Sequence, residues 1–162
     1  MQHDFEFVDI VSSKEDWSLY KLEDDTILKI RFILIKAVRE AEFDRFGNPT
    51  YSLNSQNVIG VIPSKSAIGS PSKPYTQEEL ASSVIHEDMK FKIVEEPWNE
   101  YKFKDETVVK VKLVLSMVSK TSKFDAHGEP IYLVNAQPIV KGIVPPKLMR
   151  KKEPPHPTFE PA

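Results

Sequence analysis

The feature that most constrains this chain is that it repeats. A shift of 81 residues lays residues 17–59 on residues 98–140 without a gap, and 14 of those 43 positions are identical, far above the ~6% expected by chance from average residue usage. The identities include Trp17/Trp98, Tyr20/Tyr101, Asp24/Asp105, Thr26/Thr107, Lys29/Lys110, Phe43/Phe124, Tyr51/Tyr132, Asn54/Asn135 and Gln56/Gln137. Treating Lys141 as a one-residue insertion extends the match to Gly60/Gly142, Pro63/Pro145 and Lys65/Lys147. The economical reading is an internal duplication, and two copies are too few for a solenoid, so a paired structure with a pseudo-twofold axis is expected.

Within each copy the apolar residues alternate with polar ones, which is the period of a half-buried strand. Residues 5–11 and 89–94 read as a first strand, and 17–22 and 98–103 as a second. The third is long: Leu28, Ile30, Phe32 and Leu34 point one way and Lys29 and Arg31 the other, with Val109, Val111, Leu113 and Leu115 against Lys110 and Lys112. A tight turn at residues 23–25 and 104–106 joins the second and third strands, and a fourth covers 50–62 and 131–144. The predicted fold is all-β with one short helix. Two antiparallel four-stranded units, eight strands in total, close as a barrel or pack as a sandwich. After residue 33 both faces of the third strand turn apolar in the first copy (Ile33, Leu34, Ile35, Ala37, Val38), which implies cover from the helix, the other copy or another chain.

The division of the chain follows: residues 1–65 form the first β repeat, 66–85 a linker with the helix, 86–148 the second repeat, and 149–162 a basic, proline-rich tail. Thr76-Gln77-Glu78-Glu79 has the capping-box form and starts the helix, which runs to about Ser83. Four prolines in the tail deny it a helix or a central strand.

At 162 residues the chain is long enough to bury a core in one domain or in two very small ones. It has no cysteine, which removes disulfides, thiolate nucleophiles and cysteine-rich zinc sites. The net charge of -2 supplies no whole-molecule field toward nucleic acid or an anionic membrane. No stretch approaches ~20 consecutive apolar residues, and the first residues carry no secretory pattern. No membrane partner is therefore expected, and the expected location is cytoplasmic.

Three sets of residues are candidates for chemistry. Lys29, Arg31, Lys110 and Lys112 form the best basic surface, which with nearby tyrosines resembles a face on which single strands stack; outward charge on a strand is also an ordinary solubility device. Asn54 and Gln56, with Asn135 and Gln137, put two amides on one face of the fourth strand, able to read a ligand's donors and acceptors or to satisfy backbone at a seam or bulge. Phe-Asp-x-x-Gly-x-Pro-x-Tyr occurs from Phe43 and from Phe124. Its Asp44/Asp125 pair invites comparison with a proton-sharing dyad, but Asp at the first and Gly47 or Gly128 at the fourth position is a turn preference. Trp17 and Trp98 are expected to be core or inter-repeat anchors. No two of the four histidines stand at metal-ligand spacing, no phosphate loop or nucleophile elbow is present, and no cofactor, metal or catalytic residue is assigned.

The functional expectation is a non-enzymatic β protein acting as a protein-binding or assembly module, its partner another protein or a second copy. The alternatives are a nucleic-acid-binding protein using the basic face and an enzyme with a symmetric polar site.

Overall fold

The computed structural model describes residues 5–150; most of the predicted tail lies outside the described residues. Among these residues ten strands follow in chain order: β1 (Glu6–Val8), β2 (Ile10–Lys14), β3 (Ser18–Leu22), β4 (Ile27–Phe43), β5 (Pro49–Ile62), β6 (Val84–His86), β7 (Phe91–Glu95), β8 (Asn99–Phe103), β9 (Val108–Phe124) and β10 (Pro130–Ile143). One helix, α1 (Gln77–Ala81), precedes β6. Thr76 caps it, its hydroxyl accepting from the Glu79 amide at 3.1 Å, as the capping-box spacing requires.

The strands make two five-stranded antiparallel sheets. In the first, β5, β4, β3 and β7 lie side by side, and β1 pairs with the far part of β4. In the second, the order is β10, β9, β8 and β2, with β6 on the far part of β9. The elements correspond at the shift seen in the sequence: β2 and β7, β3 and β8, β4 and β9, and β5 and β10 each start 81 residues apart and have equal lengths.

Neither half is a self-contained four-stranded meander. The predicted first strand at residues 5–11 is two strands, β1 and β2, while that at 89–94 is β7, preceded by β6 at Val84–His86. β2 and β7 cross to the other half, β2 pairing with β8 and β7 with β3. Where each crosses, the backbone stays paired, the Lys104 amide donating to the Asp9 carbonyl at 2.8 Å and the Glu23 amide to the Lys90 carbonyl at 3.0 Å. No strand pairing joins the two sheets among the described residues, so the closed barrel offered as one alternative is not formed.

Alternation along β4 and β9 builds the core. Leu28, Ile30, Phe32 and Leu34 from one half meet Val109, Val111, Leu113 and Leu115 from the other in a single apolar cluster with Tyr20, Leu22, Tyr101 and Phe103. The apolar stretch after residue 33 has a different cause from the one expected. A β-bulge at Ile35 shifts the register against β5, since Leu34 faces Ser55 and Lys36 faces Asn54. The extra residue reverses the parity of β4: Leu34 and then Ala37 point into the core, while Ile35 is 56% exposed. Ser116 is the extra residue in β9, with Leu115 facing Ala136 and Met117 facing Asn135.

Register also removes the proposed insertion at Lys141. Lys29 pairs with Gly60 and Lys110 with Lys141, so Gly60 and Lys141, not Gly60 and Gly142, occupy equivalent positions. The 3-10 turns that follow, Lys65–Ala67 and Pro146–Leu148, keep the same 81-residue spacing.

Candidate functional site

Strand parity decides what shares a surface. Because Leu28, Ile30 and Phe32 point inward, Lys29 and Arg31 point out, and their neighbours across to β5 are Gly60 and Val58. Two and four residues before Val58, on the same side of β5, come Gln56 and Asn54, which face Ile33 and Lys36. In the second half the outer face holds Lys110 beside Lys141, Lys112 beside Ile139, then Gln137 and Asn135. The basic and amide residues, predicted separately, therefore occupy one outer face in each half. The two faces belong to different sheets whose inner sides share one core, so Lys29, Arg31, Lys110 and Lys112 do not line a single surface.

The tryptophans lie on these outer faces, half-buried and outside the core cluster, which corrects the core alternative of the two expected, core or inter-repeat anchors. The Lys29 ammonium stands 4.4 Å from the centroid of the Trp17 ring and the Arg31 guanidinium 5.7 Å. Lys141 and Lys112 stand 4.8 and 5.2 Å from the Trp98 centroid. Such contacts favour desolvated cations at the ring face, and they occupy the rings on which bases would otherwise stack.

The two faces differ in their anions. Lys112 pairs with Glu96 at 3.8 Å and Lys110 with Glu100 at 4.0 Å. The equivalents are Glu15, whose carboxylate accepts from the Tyr101 hydroxyl and the Leu34 amide, and Leu19. Among the described residues Lys29 and Arg31 have no carboxylate partner, and the buried Arg31 Nε has no acceptor.

The four amides are exposed. Gln137 donates to Asn135 Oδ1 at 3.2 Å, and no hydrogen bond joins the first-half amides to the second-half amides among the described residues. Asn54 and Asn135 sit opposite the two bulges, and the Ser116 hydroxyl donates to the Asn135 carbonyl at 2.8 Å.

Asp44 and Asp125 cap their own turns. Asp44 Oδ1 accepts from the amides of Phe46 (2.8 Å) and Asn48 (2.9 Å), and Asp125 Oδ1 from those of His127 (2.8 Å) and Glu129 (2.9 Å). Gly47 and Gly128 take φ of 84° and 79°, the left-handed region that favours glycine. The Asn48 amide leads the contacts that hold the Asp44 carboxyl below its ordinary value. Burial raises that of Asp125, but the Glu129 and His127 amides outweigh it. A shared-proton dyad needs one raised carboxyl; both are lowered.

The turns are also where the halves exchange contacts. Past its 3-10 turn, the first half donates the Gly69 amide to the Gly128 carbonyl at 2.8 Å; the second donates the Arg150 amide to the Gly47 carbonyl, also at 2.8 Å.

A polar set that the sequence reading passed over links the halves. Tyr132 donates to Asp24, which Lys120 also contacts at 2.9 Å; reciprocally, Tyr51 donates to Asp105 at 2.7 Å, which Arg39 contacts at 3.0 Å. Deeper in the core Tyr20 donates to Glu96 and Tyr101 to Glu15. Burial and hydrogen bonding to the carboxylates raise Tyr20 and Tyr101; for Tyr51, burial outweighs the Thr107 contact and pushes it up to about 12. The signal was present, because a buried tyrosine requires a partner for its hydroxyl and these tyrosines and aspartates are among the repeated identities.

Each sheet has open edges. β2 and β7 are short and carry Lys14, and Lys92 and Glu95, devices that discourage edge pairing. β5 and β10 are 14 residues long and paired on one side only among the described residues. β5 contains no charged residue and β10 only Lys141. Ile59, Ile62, Ile139, Val140 and Ile143 are exposed along them.

No helix among the described residues is long and apolar enough to cross a membrane. No protein-family model, curated protein or solved structure matches the chain.

Proposed function

We propose that the chain is a non-enzymatic protein-binding or assembly module, built from two copies of one unit packed as a sandwich about a pseudo-twofold axis, and that it takes up partners by strand addition along β5 and β10. The observation that carries this reading is β5: fourteen residues, no charge, and one side unpaired among the described residues. A long uncharged edge is a template for another strand, and proteins that keep such an edge to themselves blunt it with charge, proline or cover. The contrast with the short, charged edges at β2 and β7 supports a selective use of the long ones, of β5 more than of β10, which Lys141 and the mid-strand Pro138 partly blunt. Descent of both halves from one ancestor is supported by the reciprocity of the exchanges, each tyrosine–carboxylate contact, crossing strand and turn contact having a counterpart 81 residues away.

The test is to pan a library of extended peptides against the folded chain and to map bound sequences by amide chemical-shift changes. Peptides mapping to β5 or β10 are the expected result. Peptides mapping only elsewhere, or none retained, would overturn the reading.

A second reading, single-stranded nucleic acid on an outer face, draws on the cations around Trp17. It predicts affinity that falls steeply with salt, and the division of the basic residues between two sheets weighs against it.

A further inference from the structure

We propose that the first half, unlike the second, keeps an open docking site for an extended acidic peptide: a strand laid along β5 whose carboxylate meets Lys29 and Arg31 across Gly60. This rests on the strand-addition reading and adds to it which edge is open and what the partner carries.

The second half shows what its own outer face takes. Lys112 and Lys110 are met there by the carboxylates of Glu96 and Glu100, and Lys141 fills the position beside Lys110 on β10 and reaches over Trp98. All three features are changed in the first half. Leu19 stands where Glu100 does, and Glu15 accepts from Tyr101 and the Leu34 amide without reaching a cation among the described residues, whereas its counterpart Glu96 accepts from Tyr20 with one oxygen and meets Lys112 with the other. Gly60 replaces Lys141. A Cβ at Gly60 would lie 2.9 Å from Lys29 Cε, so the lysine stem runs across the bare position toward Trp17. No β5 side chain stands between Lys29 and a strand added beyond Gly60.

Charge and geometry select the occupant. Two cations without an anion among the described residues call for negative charge, and the carboxylates on the second half identify a group that this surface geometry accepts. The uncharged β5 edge offers a ladder of backbone donors and acceptors, which a polypeptide matches residue by residue and a nucleic acid does not. Turning toward the added strand costs Arg31 its contact with Trp17 but offers a partner to its buried Nε, which has no acceptor among the described residues.

The experiment is titration calorimetry of the full chain with four probes: a Val/Thr-rich extended peptide with two central glutamates, the same peptide with glutamines, the same with lysines, and oligothymidylate. We expect one glutamate peptide per chain, with amide shifts on β5 and affinity falling with salt. Arg31→Gln should weaken it roughly tenfold to a hundredfold, the effect of removing a charged hydrogen bond. Leu19→Glu, which installs the second half's carboxylate at a half-buried position, should weaken it in the same sense; melting curves of both variants establish that they fold. Equal binding of the glutamine or lysine peptide overturns the carboxylate site while leaving strand addition standing. Failure of all three peptides overturns both, two peptides per chain overturns the asymmetry, and preference for oligothymidylate overturns the peptide in favour of nucleic acid.

Discussion

Tyr51 in the first half donates its hydroxyl to Asp105 in the second at 2.7 Å, and the same phenol lies 2.8 Å from Thr107. Tyr132, Asp24 and Thr26 repeat the arrangement in the opposite direction. Each hairpin turn is thus fastened by the other half's fourth strand. Tyr51→Phe leaves a partly buried carboxylate short of one donor and should cost about 1.5–3 kcal/mol, the range for hydrogen bonds to charged groups. Urea denaturation measures it, and a double-mutant cycle with Asp105→Asn should return a coupling of comparable sign and size.

The same contacts make stability acid-sensitive. Burial raises the carboxyls of Asp24 and Asp105, but the Tyr132 and Lys120 contacts to one, and the Tyr51, Thr107 and Arg39 contacts to the other, outweigh it and leave both below 3.8. A depressed folded pKa contributes stability that is present above the unfolded value, about 3.9, and is lost as pH falls through the folded one. Urea midpoints should therefore hold from pH 7 to about pH 5 with respect to these groups and fall below pH 4. Asp24→Asn and Asp105→Asn should flatten that decline.

The two turn glycines should differ in sensitivity. A Cβ at Gly128 would meet the Gly69 carbonyl oxygen at 2.3 Å, whereas one at Gly47 would stand 3.2 Å from that of Arg150. Gly47→Ala should cost about 1–2 kcal/mol for its left-handed backbone. Gly128→Ala should cost more than that, because the crossing segment must also move; thermal melts of the pair decide it.

The bulge fixes the parity of β4. Ile35→Ser places at this exposed position the residue found at its counterpart, Ser116, and should change stability by no more than about 0.5 kcal/mol. Deleting Ile35 removes the bulge and leaves Ala37 two residues after Leu34, still on the core face and still opposite Leu53, so a cooperative unfolding transition should persist. Deleting Ile33, which precedes the bulge, shifts the register of Phe32 and the residues before it and should cost far more, as urea melts of the two deletions would show.

Neither half should fold alone as a monomer, since β3 would lose β7 and β8 would lose β2. Peptides spanning residues 1–82 and 83–162 should each lack a cooperative transition by circular dichroism at low concentration and regain strand signal on mixing. An independently folded monomeric half would contradict the reciprocal pairing.

The sequence by itself determined the all-β class, the strand positions in β3, β4, β5, β8, β9 and β10, the Asp–Gly turns and the capped helix, because each depends on residues close in the chain. Period-two alternation, a left-handed glycine and a threonine three residues before a glutamate act locally. Tertiary structure decided which strand β2 and β7 pair with, because β3 and β8 show the same alternation of buried and outward residues around a shared Tyr-Lys pair and only the path of the chain chooses between their edges. It also decided the sidedness of Trp17 and Trp98, which depends on strand direction at the hairpin entrance, and the apolar run at residues 33–38, which reads as double cover until the bulge at Ile35 reveals a change of parity. Shared identities announced Tyr51, Tyr132, Asp24 and Asp105 as special positions. That each pair meets across the halves follows only from the crossing strands, which carry one half's turn to the other half's fourth strand.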